Sequence, residues 1–169
     1  MQVEYINPFV QSLCDVLETM ADFQALPQKP FLKQEAHQAA VTGFIRMEGE
    51  QAICTIAIHF SESAILKIGS VMLQETLTVI DEGVADLVGE ITNMVTGATK
   101  KILWDKGFGF ELSRPEIFLQ QSEYRHVLPH KVVVVPFQSD FGDFQIEACM
   151  KDIRKPAAWG KYSDHRQIV

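Results

Sequence analysis

Residues 86–103, DLVGEITNMVTGATKKIL, set aliphatic residues at helical spacing and place an acid, an amide and a glycine between them. At about 100° per residue, Val84, Leu87, Ile91, Val95, Ala98 and Ile102 share one stripe, which reads as the core side of an amphipathic helix. Asp86, Glu90, Asn93, Gly97 and Lys101 form a second stripe roughly 100–140° round the helix, with Met94 at its border. The helix is expected to start near Ile80 or Asp81, where acidic residues suit the positive end of the helix dipole. It is expected to end at Lys106, with Gly107 as its stop. Asn and Gly are poor helix formers, Gly by about 1 kcal/mol relative to Ala. Their place on the wet side calls for a reason other than solubility.

The residue types suggest one. An ionised Glu90 accepts hydrogen bonds from a partner's cation, whereas the Asn93 amide both donates and accepts without charge. An uncharged amide can hold a water beside an anion that would repel a carboxylate. Gly97, one turn beyond Asn93, leaves room for another backbone to approach. The chain has one other Glu-x-x-Asn, from Glu4 to Asn7, and no further asparagine. Asn7 has a simpler explanation there, as an N-cap ahead of Pro8.

Working outward, Phe9, Val10, Leu13, Val16, Leu17 and Met20 recur at helical spacing and define a first helix ending near Asp22. Pro27 and Pro30 mark QALPQKP as a connecting loop. Residues 39–47 and 51–60, rich in Val, Ile, Thr and Phe, flank EGE and read as a hairpin. Ser61 or Ser63 then caps a short helix that buries Ile65, Leu66, Ile68, Val71 and Met72. After the long helix come strands at Phe108 to Leu112 and Glu116 to Leu119, then KVVVVPFQSD and DFQIEACMKDI around the turn FGD. Pro136 puts its strand at an edge or a bulge. KVVVVPFQ, as an uncovered apolar edge, would pair with a second copy. KPAAWGKYSDHRQIV has no clear period.

Composition narrows the function. The chain has 169 residues and a net charge of −7, which excludes an electrostatic grip on nucleic acid or on an anionic membrane surface. A protein or small-molecule partner is expected. The start, MQVEYINPF, lacks a basic segment followed by an apolar run, and no stretch is apolar for long enough to span a bilayer, so a cytoplasmic setting is expected. Cys14, Cys54 and Cys149 read as buried free thiols. His126 and His130 are split by Pro129 and lack the partners of a zinc site. GFGF follows a helix instead of opening one and reads as a cap and turn. Asp81 and Glu82 answer to the helix dipole, leaving no metal cluster with Asp86.

The stretches NPFVQSLCDVLETM, DLVGEITNMVTG, LSRPEIFL and VVVVPFQSDFGDFQIEACM together resemble the CheC/CheX/FliY family of chemotaxis response-regulator phosphatases. The resemblance is closer to CheX, because the first helix lacks a second Glu-x-x-Asn: Glu18 is followed three residues later by Ala21. It implies an α/β fold of the α+β type, long helices on a mainly antiparallel sheet, with one domain over residues 1–155 and a tail over 156–169. It also implies a phosphatase acting on the aspartyl phosphate of a CheY-type response regulator. Glu90 would pair with the regulator's active-site lysine and Asn93 would orient the attacking water. Asp86, Met94, Gly97 and Lys101 would complete the partner-binding face. No cofactor is expected in this chain, since Mg2+ would sit on the regulator, and family members pair sheet edges into homodimers. The alternative is a non-catalytic binding module for a response regulator or a flagellar component. Gln120 departs from the pattern, standing where many relatives would carry glycine.

Overall fold

A computed structural model describes residues 5–35, 37–120, 124–127 and 131–153; the expected tail lies outside them. Three helices, α1 (Asn7–Ala21), α2 (Glu62–Leu73) and α3 (Glu82–Asp105), accompany eight strands. These are β1 (Leu26–Pro27), β2 (Phe31–Leu32), β3 (Val41–Glu48), β4 (Ala52–Phe60), β5 (Glu111–Leu112), β6 (Glu116–Leu119), β7 (Val133–Gln138) and β8 (Phe144–Asp152). The strands form one antiparallel sheet in the order β1-β7-β8-β4-β3-β5, with β2 also on β7 and β6 also on β3. The expected α+β architecture is the observed one.

Side chains alternate across each strand, so the sheet has two distinct faces. One face carries Ile45, Met47, Cys54, Ile56, Ile58, Phe137, Ile146 and Ala148 into a core shared with all three helices. Leu13 and Leu17 of α1, Ile65 and Ile68 of α2, and Val88, Ile91 and Val95 of α3 fill it from above. Gly43 sets how close α3 comes: a Cβ there would lie 2.0 Å from Thr92 Oγ1 and 3.1 Å from Val88 Cγ1. Any other residue type there would make the Thr92 side chain or the helix shift.

Several expectations are corrected. On α3, Ala98 is exposed and Ile102 half-buried, while Val88, Thr92, Thr96, Thr99 and Leu103 are buried beside Val84, Leu87, Ile91 and Val95. The threonines can be buried because their hydroxyls bond back along the helix, Thr92 to Val88 O at 2.7 Å, Thr96 to Thr92 O at 2.7 Å and Thr99 to Val95 O at 2.8 Å. The helix begins at Glu82 with Asp81 as its N-cap, Asp81 Oδ1 accepting from the Val84 amide at 3.0 Å.

Asn7 is not a cap. Ile6 takes the N-cap position of α1, fully buried, and its carbonyl accepts from the Phe9 and Val10 amides. Burial of the Ile6 side chain decides where the helix begins. On the same helix Met20 is exposed, and on α2 Val71 is exposed and Leu66 and Met72 are half-buried, with Ala64 and Gly69 buried instead. Only Glu111–Leu112 of the strand expected from Phe108 is extended, while Phe108 and Phe110 turn into the core. Cys14 is half-buried; Cys54 and Cys149 are buried, and none of the three is in a disulfide.

The stretch read as a loop at QALPQKP contains Leu26–Pro27 of β1, and with β2 it closes the β7 edge: Leu26 faces Gln138 and Phe31 faces Val134. The apolar edge expected to be open is thus covered by the chain itself. Pro136 is tolerated beside it, its carbonyl accepting from the Gln28 amide at 2.8 Å. Gln120, at the end of β6, has φ 52, the left-handed region that glycine enters without strain.

The second sheet face buries a polar cluster at its centre. Glu147 on β8 is 0% exposed and accepts from Lys33 Nζ at 2.7 Å, Tyr124 Oη at 2.9 Å and His126 Nε2 at 3.0 Å. Its other oxygen lies 3.3 Å from His59 Nε2 and accepts from Gln145 at 3.2 Å. Thr42 and Thr55 hydroxyls meet the Nδ1 atoms of His59 and His126 at 2.8 and 2.9 Å. Hydroxyls donating to both Nδ1 atoms leave both Nε2–H groups to donate to Glu147, so neutral imidazoles suffice and Lys33 alone balances the carboxylate. Burial alone would raise the Glu147 carboxyl, yet hydrogen bonds from His126, His59 and Lys33 hold it well below the usual carboxylate range. Burial lowers His59 from its ordinary 6.5, outweighing its hydrogen bond to Glu147.

These contacts set the response of stability to mutation and pH. Gly43→Ala should cost roughly 1–3 kcal/mol in urea unfolding, because Thr92 or the whole of α3 must move; an unchanged midpoint would refute the seat. For the polar cluster, a folded pKa below the unfolded one at both His59 and Glu147 means the unfolded chain binds protons more readily. Stability should therefore be full above about pH 6.5 and fall on acidification, first below 6.5 through His59 and again below 4.5 through Glu147. Glu147→Ala should cost roughly 3–5 kcal/mol at neutral pH by leaving the half-buried Lys33 without its anion and the buried donors around it without their acceptor. A urea midpoint flat from pH 8 to pH 4 would contradict this account.

Candidate functional site

The outward stripe of α3 stands as expected. Asp86, Glu90, Asn93, Gly97 and Lys101 are all exposed and Met94 is half-buried at the border. Glu90 and Asn93 are three residues apart, so their side chains project from adjacent turns of the same face. Among the described residues neither side chain makes a hydrogen bond or ion pair; the Asn93 backbone carbonyl accepts from Thr96 Oγ1 at 3.3 Å. A Cβ at Gly97 would meet nothing within 4 Å. The carboxylate, the amide and the bare backbone are all available to something outside the chain.

Rigidity comes from the opposite side of the same helix. The buried Thr92 and Thr96 flank Asn93 in sequence, and Ile91 adjoins Glu90, so both site residues sit on backbone fixed by the core. Thr99 also donates to the Pro8 carbonyl at 3.4 Å, tying α3 to the start of α1. The first helix supplies no second site of this kind: Glu18 is exposed, but Ala21 is 3% exposed and lies in the core.

Sequence reading passed over the Glu147 cluster. Its signal was a carboxylate between Ile146 and Ala148 and a histidine in IAIHF, ionisable groups in apolar strands that must find partners. His126 was weighed only as a zinc ligand and instead serves Glu147; His130 lies outside the described residues. A cleft of about 490 Å³ adjoins the cluster, lined by Lys33, Glu35, His37, Gln145 and Glu147 among others. Because the carboxylate is already saturated by its own chain, the cluster serves to hold the segments around Lys33 and Tyr124 on the sheet. Among the described residues no group of three or more His, Cys, Asp or Glu could hold a metal ion. None of their helices is long and apolar enough to cross a membrane.

A family model described as chemotaxis phosphatase CheX matches residues 41–138, which include α3 and its exposed stripe. No curated protein matches the chain. Among solved structures, a CheC-like superfamily protein from Shewanella sp. PV-4 is 41% identical, with a TM-score of 0.83 over 89% of this chain and 99% of that one. The chemotaxis protein CheX from Vibrio vulnificus is 39% identical, with a TM-score of 0.82 over 88% of this chain and 100% of that one. CheX from Borrelia burgdorferi, solved in a complex with CheY, BeF3 and Mg2+, shares the fold at 21% identity and a TM-score of 0.72, over 89% of this chain and 100% of that one. With more than half of its length matched by the family model, and near-complete overlap with relatives about 40% identical, the chain belongs to the CheX family of chemotaxis phosphatases.

Proposed function

We propose that the chain hydrolyses the aspartyl phosphate of a CheY-type response regulator in the cytoplasm. The observation that carries this reading is the pair Glu90 and Asn93, exposed on one face of a helix fixed by the core and making no bond within the chain. Phosphoryl transfer asks its catalyst chiefly for positioning and charge stabilisation. The regulator brings the electrophile, the Mg2+ and a lysine. This chain brings an amide to hold a water in line with the phosphorus and a carboxylate to engage the lysine. The water oxygen bonds to phosphorus, the bond from phosphorus to the aspartyl oxygen breaks to leave a carboxylate, and inorganic phosphate departs with both of the water's protons. A carboxylate at position 93 would repel the phosphoryl oxygens; the amide does not.

Asp86, Met94, Gly97 and Lys101 complete the docking face in this reading, with Met94 an adaptable apolar contact. The Borrelia burgdorferi CheX solved with CheY supports the partner class. A homodimer through a sheet edge belongs to the same reading. Its edge is moved from β7 to the outer strands β1 and β2, where Leu26, Phe31 and Leu32 are exposed. A monomer at micromolar concentration in sedimentation would exclude it.

The deciding experiment follows the lifetime of a phosphorylated regulator with and without this protein. Asn93→Ala should lower turnover about 10²–10³-fold with the fold intact, because it removes one positioning hydrogen-bonding group. Glu90→Ala should weaken affinity as well as turnover. Near-native activity of the first, or unchanged affinity of the second, would overturn the assigned role. Gly97→Leu should fold at least as stably, given open space around the position and a gain in helix propensity, yet fail to dock. An active Gly97→Leu protein would place the docking face elsewhere.

A further inference from the structure

We infer that Trp104 is a second anchor for the phosphorylated response regulator, an aromatic contact at the far end of the α3 stripe that sets affinity without touching the reacting atoms. The inference rests on the proposed phosphatase reading for the identity of its partner. Among the described large apolar side chains Trp104 is the most exposed, at 68%. Tryptophan left in water forgoes a large burial energy, and this indole occupies a defined place. At 100° per residue it lies within about 20° of Asn93 and of Gly97 around the helix, so the three form a nearly straight line. Glu90 and Trp104 are each seven residues from Gly97, about 10 Å away along the axis in opposite directions.

Size fits one partner. A standard interface covers about 800 Å² per side, a disc roughly 32 Å across, and the stretch from Glu90 to Trp104 is about 21 Å long. Centred on the bare Gly97, such a footprint takes in both ends. The ring is also held in place. Gly109 passes beneath it, close enough that a Cβ there would stand 3.1 Å from Trp104 Cζ3 and 3.5 Å from Cε3. An indole supported on one side and open to solvent elsewhere loses little freedom on binding, which is the character of an interface hot spot.

Beside the ring runs a groove of about 760 Å³ between the end of α3 and the β3–β4 turn, lined by Trp104, Lys100, Gly49, Gln51, Phe110 and Glu111 among others. It offers a place for a partner side chain against the indole. Continuity with the proposed site names the same occupant. Trp104 stands on the same helix line as the exposed Asn93 and Gly97, with Lys101 on the stripe between Gly97 and Trp104, so a regulator docked over Asn93 and Gly97 reaches the ring.

Binding and turnover separate the possibilities. A CheY-type regulator, activated with beryllofluoride and Mg2+, is titrated calorimetrically into the wild type, Trp104→Ala, Trp104→Phe and Asn93→Ala proteins, alongside steady-state hydrolysis. Trp104→Ala should raise Kd and KM about tenfold or more with kcat within about twofold, and Trp104→Phe should recover most of the affinity. Asn93→Ala should show the converse split, kcat lost and Kd nearly kept. In a Trp159→Phe protein, the remaining indole emission should shift to the blue on adding the regulator. Affinity within twofold in Trp104→Ala, unmoved emission, or dissociation of a dimer with regulator affinity unchanged would overturn the inference. A wild type that binds through Trp104 but leaves the phosphate's lifetime unaltered would sink the phosphatase reading and leave the anchor standing. A wild type that does not bind the activated regulator would sink both.

Discussion

The seat of α3 on β3 at Gly43 is the constraint on which the rest depends. A helix that must present a precise outer face has to be immobilised through its inner one, and immobilisation by packing requires close approach. Without a side chain at Gly43, Thr92 and Val88 descend onto the strand, and the threonine hydroxyls turn inward to their own backbone so that no polar group is stranded. Asn93 follows Thr92 directly, so the same contact fixes the amide. A larger residue at 43 would act on the site through the helix, from the far side.

The sheet can hold that helix because its own centre is fixed on both faces. Strands β4 and β8 are buried above by the helices and below by the Glu147 cluster, which draws Lys33, Tyr124 and His126 across the back of the sheet. A buried carboxylate is a poor source of net stability compared with an apolar side chain, since its desolvation offsets most of what its partners return. Its effect is on arrangement: five donors converge on one pair of oxygens, and only one placement of the Lys33 and Tyr124 segments satisfies them all. The charge therefore specifies where these segments lie.

What was legible in the sequence divides along physical lines. Strong local periodicity survived: the hairpin of β3 and β4, the capped α2, the long α3 and its exposed stripe were all readable, because spacing alone encodes them. Tertiary competition was not readable. Asn7 looked like a cap, and the burial of Ile6 moved the cap to Ile6; Ala98 looked like core, and threonines with self-satisfied hydroxyls took its place. QALPQKP carries the marks of a loop, yet Leu26, Pro27, Phe31 and Leu32 pair with β7, because a long strand with an open edge gains more from local cover than prolines lose by bending the chain. The Glu147 cluster joins residues from positions 33 to 147, and no window of sequence contains it. Exposure of Glu90 and Asn93 is inferable from periodicity, whereas the support of the Trp104 ring by Gly109 depends on how the chain turns after α3, which no helical period encodes.

The active face proposed for the middle of α3 differs from the usual placing of catalytic groups on loops, and the proposed division of labour with the partner accounts for it. When the electrophile, metal and charge-balancing lysine all arrive on the other protein, the catalyst needs no pocket, no metal ligands and no moving lid. It needs two side chains held at fixed spacing on a convex rod that can enter the partner's own cleft. A helix three residues apart at Glu90 and Asn93 supplies that spacing from backbone geometry alone, and Gly97 keeps the rod slim where the two surfaces come nearest. Specificity then has to come from elsewhere along the rod, since a carboxylate and an amide are too common to choose a partner. In the proposed reading the line from Asn93 through Gly97 to Trp104 provides it, the polar end acting on the phosphate and the aromatic end distinguishing the protein that carries it.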